Sequence, residues 1–587
     1  MRLVERLEEK MIDKIWQYRN EKIKREDIEA AVRELHIPPV FVTILMNRGI
    51  EREDMLAFLQ KSMKNVVNPM LMTDMEQAAE RIQAALEQHE KIVIYGDYDV
   101  DGITSTALLY DFLTALGADA EYYIPDRKGE GYGINIMAVN KLIKRGVKLM
   151  ITVDCGITAI GEVEFAALQG MDVIITDHHT CKERIPTAAK AIVNPKRDDC
   201  YPFRELAGVG VAFKLALALA MKRGMKTMDV FNRYIDLAAI GTVADVVPLS
   251  GENRIIVDRG IKALRKTQRV GLRALMECGG VRSETVNAAS IAFGLAPRLN
   301  AAGRLSEAEI GVRLLLCKNA AEAAKIAEEL EEQNHERQMT EQKILDEAME
   351  MIAADPNFEK KKVIVLARED WHHGVIGIVA SRICEKFYKP CILISHSNGI
   401  GKGSGRSIEG FDLFEALSAC EEYLTQFGGH KAAAGLTINL SDLEEFTKKI
   451  NQYADSVLTE KDMIPKLRID CAISERSVTL ENVEVLARLE PFGVGNEKPV
   501  FSLSGAEIAY ISAVGADNKH LRMTVQKNGK QMGCIGFNLG GYTEYFKPGD
   551  RVELAFQMDI NHYQGNRNVQ LLLKDIKRTP IAGREAQ

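Results

Sequence analysis

The ten cysteines of this sequence include no Cys-x-x-Cys pair. Neither a zinc knuckle nor a disulfide framework is indicated, and the thiols read as reduced, mostly small core residues. No apolar stretch is long enough to span a bilayer, so no membrane partner is expected. The opening run Met1-Arg2-Leu3-Val4-Glu5-Arg6-Leu7-Glu8-Glu9-Lys10 is charged throughout and has no apolar signal core, which predicts a cytoplasmic protein. Basic excess is lacking too. The 76 Lys and Arg are outnumbered by 83 Asp and Glu, for a net charge of -7. That argues against a protein coating nucleic acid non-specifically, yet leaves room for a local basic groove beside an acidic metal site.

What is present is a soluble-type composition, 46% hydrophobic and 27% charged over 587 residues, long enough for about three to five domains. The stretch at 91–102 stands out. An aliphatic run, Ile92-Val93-Ile94, leads through Tyr95-Gly96 into Asp97, Asp99 and Asp101. The run reads as a buried strand ended at Gly96. In extended backbone, residues two apart share a face, so three carboxylates would aim at one point. They repel unless a cation lies among them, and hard oxygen donors suit Mg2+ or Mn2+. An EF-hand is excluded, because the Glu it needs six residues after the Gly is replaced by Leu108. A solvated acidic turn is the plain alternative for this stretch taken alone.

Further along, the alternation of strand and helix settles the balance. Strands are predicted at 91–95, 120–124, 149–153 and 173–176, with 191–193 as one more, and helices at 75–89, 103–116, 136–145 and 160–168. This predicts an α/β domain with a mostly parallel sheet covered on both faces. Ligands of such sheets lie beyond the carboxyl ends of the strands. Three strands deliver metal-type residues at that edge: the Asp97–Asp101 cluster, Asp154, and Asp177-His178-His179. Asp245 then sits in the apolar run Leu237–Pro248, where a lone acid is costly unless paired, metal-bound or capping a helix.

Elsewhere, residues 1–73 read as a helical arm with no chemistry of its own. Pro297-Arg298-Leu299-Asn300-Ala301-Ala302-Gly303-Arg304 offers two Arg around small residues, either an anion contact or a surface turn. Residues 320–354 lack Gly and Pro and predict a bridging helix of about 50 Å. A second α/β unit follows at 356–460. Its His372-His373 pair reads as a helix start or substrate contact. Its stretches Gly401-Lys402-Gly403-Ser404-Gly405-Arg406-Ser407 and Phe427-Gly428-Gly429-His430 read as Gly-rich, anion-binding loops. Five short strands between 500 and 574 predict a small barrel of OB type. From Asn561 on, Arg567, Lys574, Lys577, Arg578 and Arg584 outnumber the acids, and His562 and Tyr563 add stacking surface, which suits single-stranded nucleic acid.

Tyr95-Gly96-Asp97-Tyr98-Asp99-Val100-Asp101-Gly102, Val153-Asp154-Cys155-Gly156, Asp177-His178-His179 and Val243-Ala244-Asp245-Val246-Val247-Pro248 resemble the successive motifs of the DHH phosphoesterase superfamily. Gly403–Ser407 and Gly428-Gly429-His430 resemble its DHHA1 domain, and with the terminal barrel the likeness covers nearly the whole chain. The resemblance implies a DHH domain at 74–255, a helical connector at 256–355, a DHHA1 domain at 356–460, and an OB-fold with basic tail at 461–587. It implies a 5′-to-3′ exonuclease on single-stranded DNA that releases 5′-mononucleotides in recombination and repair, with two Mn2+ or Mg2+ ions per active site. By the same likeness, Asp99 and Asp154 resemble ligands of one ion, and Asp101, Asp154, His178 and Asp245 those of the other. Asp97 resembles a further first-site or water-positioning acid, and His179 a contact to the scissile phosphate. Arg298, Asn300, Arg304, Ser404, Arg406, Ser407 and His430 resemble phosphate contacts. A monomer is expected, with a single-strand-binding protein or a helicase as candidate protein partners. The rival readings are a superfamily enzyme for oligoribonucleotides or dinucleotide messengers, and a non-catalytic scaffold of the same fold.

Overall fold

The structure, a computed structural model, describes residues 14–19, 23–126, 133–197, 201–305, 307–563 and 565–579. The opening run at 1–10 and the tail with Arg584 lie outside the described residues. Two compact units are formed. Among the described residues, one comprises those within 57–337 and 490–497; the other comprises those within 14–56, 338–489 and 498–579. The helix Ala320–Ala354 begins in the first and ends in the second.

The first unit is built on a five-stranded sheet in the order Ala120–Tyr123, Ile92–Tyr95, Leu149–Val153, Asp172–Thr176, Ala191–Val193. Every pairing is parallel, with Ile94 opposite Ile151 and Ile151 opposite Ile174. The central strands are buried on both faces, which is why they read as unbroken aliphatic runs. Period-2 alternation divides their side chains between two cores. Ile92, Ile94, Ile151 and Ile174 pack with helices Met75–Glu87, Val100–Ala115 and Gly208–Lys222. Val93, Tyr95, Met150 and Ile175 pack with Ile136–Lys144 and Ile160–Leu168. Parallel strands in register end together, so one sheet edge receives everything that follows them.

The second unit holds two larger sheets. In the first, Leu424–His430, Ala433–Asn439, Ile400–Arg406 and Cys391–Ser397 run antiparallel, and Ile364–Glu369 adds in parallel. The stretches expected as Gly-rich loops are therefore strands. The reason is packing: a Cβ on Gly401 or Gly403 would meet Ile394 at 2.7 or 3.0 Å, and one on Gly405 would meet Leu413 at 2.8 Å. Alternate glycines let large aliphatics lie against the sheet. The second sheet closes into a barrel where Phe501–Val514 pairs with both His520–Lys527 and Arg551–Tyr563. The N-terminal arm is not helical throughout. Ile15–Tyr18 is a strand, parallel to Lys466–Ile469, a pairing across some 450 residues that no local pattern announces. No helix among the described residues is long and apolar enough to cross a membrane.

Candidate metal centre and phosphate contacts

The acids at 97–101 converge, though not through extended backbone. The strand ends at Tyr95, and Asp97 follows it just past Gly96. Asp99 is the N-cap of helix Val100–Ala115, its Oδ1 accepting the Gly102 amide at 3.0 Å, and Asp101 lies in the first helical turn. The helix thus starts three residues earlier than its apolar periodicity indicates, because an Asp that can cap it sits at 99. Gly102 has to be glycine here, since a Cβ would meet the Asp97 carbonyl oxygen at 2.4 Å.

Asp154, at the end of the next strand, has φ of +62°, a left-handed conformation that non-glycine residues adopt at a cost. Asp245 is the C-cap of helix Thr227–Ala244, where the helix dipole disfavours a carboxylate. His178 Nε2 joins these groups: it lies 3.1 Å from Asp154 Oδ1, 3.6 Å from Asp245 Oδ2 and 4.0 Å from Asp101 Oδ2. Asp97, Asp99 and Asp154 form one triad of donor atoms mutually within 4.8 Å, and Asp101, His178 and Asp245 form another.

Electrostatics shows what the cluster lacks. Burial, then the charge of Asp99, raises the Asp101 carboxyl to about 7, against two backbone amides that oppose the shift. Burial, then Asp101 and Asp99, raises Asp245 to about 9. Asp154 is driven well up by burial and by Asp101. Burial and the neighbouring His179 lower His178 to about 3, so its imidazole is neutral. Asp154 Oδ1, His178 Nε2 and Asp245 Oδ2 are buried with no hydrogen-bond partner among the described residues. Buried acids that repel, orphan oxygens and a neutral imidazole together make a donor set suited to divalent cations.

The motif contains a further functional residue to which the sequence reading assigned no role. Asp177 Oδ1 accepts the His178 amide at 2.7 Å, the His179 amide at 3.0 Å and His179 Nδ1 at 2.7 Å, while Oδ2 accepts the Ile157 amide at 2.9 Å. Burial alone would raise Asp177, but these donors, the His179 side chain foremost, lower it. Burial alone would lower His179, but the Asp177 hydrogen bond and charge raise it. The two histidines, with ring centroids 4.5 Å apart, are therefore shifted in opposite directions. Gly208 was also missed. Its amide donates to Asp101 Oδ2 at 2.6 Å, and a Cβ there would meet Asp154 Oδ1 at 2.5 Å. Its only sequence signal is the Gly-Val-Gly-Val run that opens a helix.

The expected phosphate contacts are placed unevenly. Residues 297–304 are not a turn; they lie in helix Ala296–Leu305, with Ala301, Ala302 and Gly303 buried against the rest of the unit. Asn300 Oδ1 accepts the Val100 amide at 3.2 Å, which docks this helix on the metal loop. Arg298 pairs with Glu331 at 2.5 Å and donates to the Gly294 carbonyl, so its guanidinium serves helix packing. Arg304 is half-buried. In the other unit, Arg406 is half-buried, and no carboxylate pairs with it among the described residues; burial lowers its pKa, and its bonds go to Ser404 Oγ and the Gly405 carbonyl. Arg406 and His430 both stand opposite Ala433, which places them on one face about 10 Å apart. Ser407 Oγ is spent on the Phe411 carbonyl at 2.8 Å. His372 caps a helix through the Gly374 amide.

On the barrel, several of the expected cations are occupied. Arg567 pairs with Glu484, Lys577 covers the Trp16 ring, and Arg578 lies over Phe546. Exposed aromatic surface comes from Tyr510 and Phe537, which the sequence reading did not single out.

Three family models match in order: the DHH family N-terminal domain at residues 91–242, the DHHA1 domain at 360–456 and the RecJ OB domain at 469–575. The single-stranded-DNA-specific exonuclease RecJ of Bacillus subtilis is 41% identical over 94% of this chain and 69% of its own length. That of Haemophilus influenzae is 36% identical over 88% of this chain and 93% of its own. The crystal structure of RecJ in complex with Mn2+ from Thermus thermophilus superposes with a TM-score of 0.83, at 31% identity, covering 97% of this chain and 80% of that one. A crystal structure of the same protein in complex with Mg2+ superposes with a TM-score of 0.78. With its three domains in order and relatives of this identity aligned along most of their length, the chain belongs to the RecJ family of single-stranded-DNA-specific exonucleases.

Proposed function

We propose that the chain is a 5′-to-3′ exonuclease on single-stranded DNA that releases 5′-mononucleotides and serves recombination and repair. The observation that carries this reading is the meeting of His178 Nε2 with Asp154, Asp245 and Asp101 at the carboxyl edge of the parallel sheet. Asp97, Asp99 and Asp154 would hold one Mn2+ or Mg2+, and Asp101, Asp154, His178 and Asp245 the second, Asp154 serving both. When bound, such a pair lowers the pKa of a water and neutralises charge on a phosphoryl group.

The chain's own residues have distinct tasks. Asp177 holds Nδ1 of His179, which turns Nε2 away from the carboxylate. With its pKa raised by that carboxylate, His179 would present Nε2 to a non-bridging phosphate oxygen, where charge grows in the transition state. The first amides of helix Gly208–Lys222 clamp both oxygens of Asp101 and leave its remaining lone pairs for the cation. Arg406, with Ser404 and His430, would contact the strand's phosphates, and Asn300 and Arg304 would do so beside the metal loop. The barrel, with its exposed Tyr510 and Phe537, would carry bases of the strand. In this reading the enzyme is a cytoplasmic monomer, with a single-strand-binding protein or a helicase as partner.

The test is incubation of the purified full chain with Mn2+ and a labelled single strand blocked at one end or the other. Mononucleotide release from strands with a free 5′ end, and none when that end is blocked, is the expected result. Equal degradation of both, or none of either, refutes the reading.

A further inference from the structure

Phe293 is 81% exposed, an unusual placement for an aromatic ring inside a helical run. An isolated exposed apolar residue needs no explanation by itself. This one belongs to a pattern. Ser290–Leu295 is a π-helical turn leading directly into helix Ala296–Leu305. Ile291, Leu295 and Leu299 are buried on the inner side. Phe293, Pro297, Asn300 and Arg304 follow at intervals of four, three and four residues, which is one stripe of a helix. The stripe ends at the metal loop: Asn300 takes the Val100 amide, and Gly303 packs so closely that a Cβ would lie 2.3 Å from the Tyr98 carbonyl oxygen. A π-turn places one residue more than an α-turn, at a cost in hydrogen-bond geometry, and such turns concentrate at functional sites.

We infer that Phe293 is a stacking platform for a base of the retained strand. The seven-residue step from Phe293 to Asn300 spans about 10 Å of helix, or about three base steps of a stacked strand. The inference rests on mononucleotide release: only one nucleotide lies on the leaving side of the scissile phosphate, so a base this far away is on the retained side. Base–aromatic stacking tolerates any sequence, as a non-specific nuclease requires. Arg298, bonded to Gly294 and paired with Glu331, fixes the helix that carries the ring.

The experiment combines Phe293→Ala and Phe293→Trp in the full chain with single strands carrying one abasic residue at successive positions from the 5′ end. Binding is read by anisotropy with Ca2+ in place of Mn2+, and turnover is read with Mn2+. The wild-type chain is expected to lose affinity when the missing base lies about three nucleotides past the scissile phosphate. Phe293→Ala is expected to raise KM and Kd about tenfold for intact strands, leave kcat unchanged and flatten the abasic profile, with Phe293→Trp retaining it. An alanine variant that keeps the wild-type Kd and abasic profile overturns the inference. So does a wild-type profile with no abasic position that matters, a reading that stands even if Phe293→Ala fails to fold. Binding in Ca2+ does not require hydrolysis, so failure of the exonuclease reading would show separately, as absent turnover.

Discussion

The carboxylate of Asp101 and the amide of Gly208 lie 2.6 Å apart, and that contact joins two elements about a hundred residues apart at the metal centre. Asp101 is the first-turn acid of one helix and at the same time the anion at the N-terminus of another, since Val209 donates to its second oxygen at 2.8 Å. Its carboxylate is thereby fixed before any cation arrives. Asp101→Asn is expected to keep the fold and reduce turnover to below about 1%, because losing one charged ligand forfeits several kcal/mol of transition-state stabilisation. Gly208→Ala is expected to weaken Mn2+ binding about 10- to 100-fold, because its Cβ would displace Asp154. Metal titration and steady-state turnover on the two variants check both. Wild-type Mn2+ affinity in Gly208→Ala would remove the clamp from this account.

Metal binding is expected to release protons. Asp101 titrates at about 7 and Asp245 at about 9 without metal, so at neutral pH the cluster holds protons that a cation must displace. Affinity for Mn2+ should therefore rise with pH up to about 9. The stability linkage has the same origin. Carboxyls with raised folded pKa values hold protons that the unfolded chain gives up at about pH 4. Stability of the metal-free chain thus falls as pH rises from there through 9, and Mn2+ offsets the loss. Calorimetry of Mn2+ binding in two buffers of different ionisation enthalpy reads the protons directly. A heat independent of buffer at pH 7 contradicts the assignment.

Much of this centre was legible because parallel strands broadcast their ends. Asp97, Asp154 and His178 each follow an aliphatic run, and register carries all three to one edge. Asp245 was legible as an acid with no polar company. What stayed hidden depends on contacts that no local pattern encodes. The capping role of Asp99 overrode the apolar period of its helix. The glycines at 401, 403 and 405 looked like loop residues because the aliphatics they accommodate come from other segments. Arg298 and Arg304 look alike in the sequence, and only the position of Glu331 shows that Arg298 is committed elsewhere.

Asp177 acts through His179, so its removal should separate chemistry from metal binding. Asp177→Asn is expected to lower kcat about 100-fold by loosening the ring and returning its pKa towards the ordinary value. Mn2+ affinity should change far less, and the alkaline limb of the pH–rate profile should move to lower pH. A profile that keeps its wild-type alkaline limb in Asp177→Asn would assign that limb to another group.

Arg406 poses the converse case, a half-buried guanidinium with no acid beside it among the described residues. Half-burying a cation without a counter-ion costs stability, and the cost is reasonable only if an anion arrives during function. Arg406→Met keeps the aliphatic stem and removes the charge, so its melting temperature should equal or exceed that of the wild type. Its affinity for single strands should fall about tenfold, the scale of one hydrogen bond to a charged group. The slope of log affinity against log salt should shrink by about 1, because one phosphate contact is lost. Thermal melts and a salt series of strand binding decide the matter. A destabilised variant with an unchanged salt slope would make Arg406 a packing residue and would leave Ser404 and His430 without the cation that gives their strand edge its purpose.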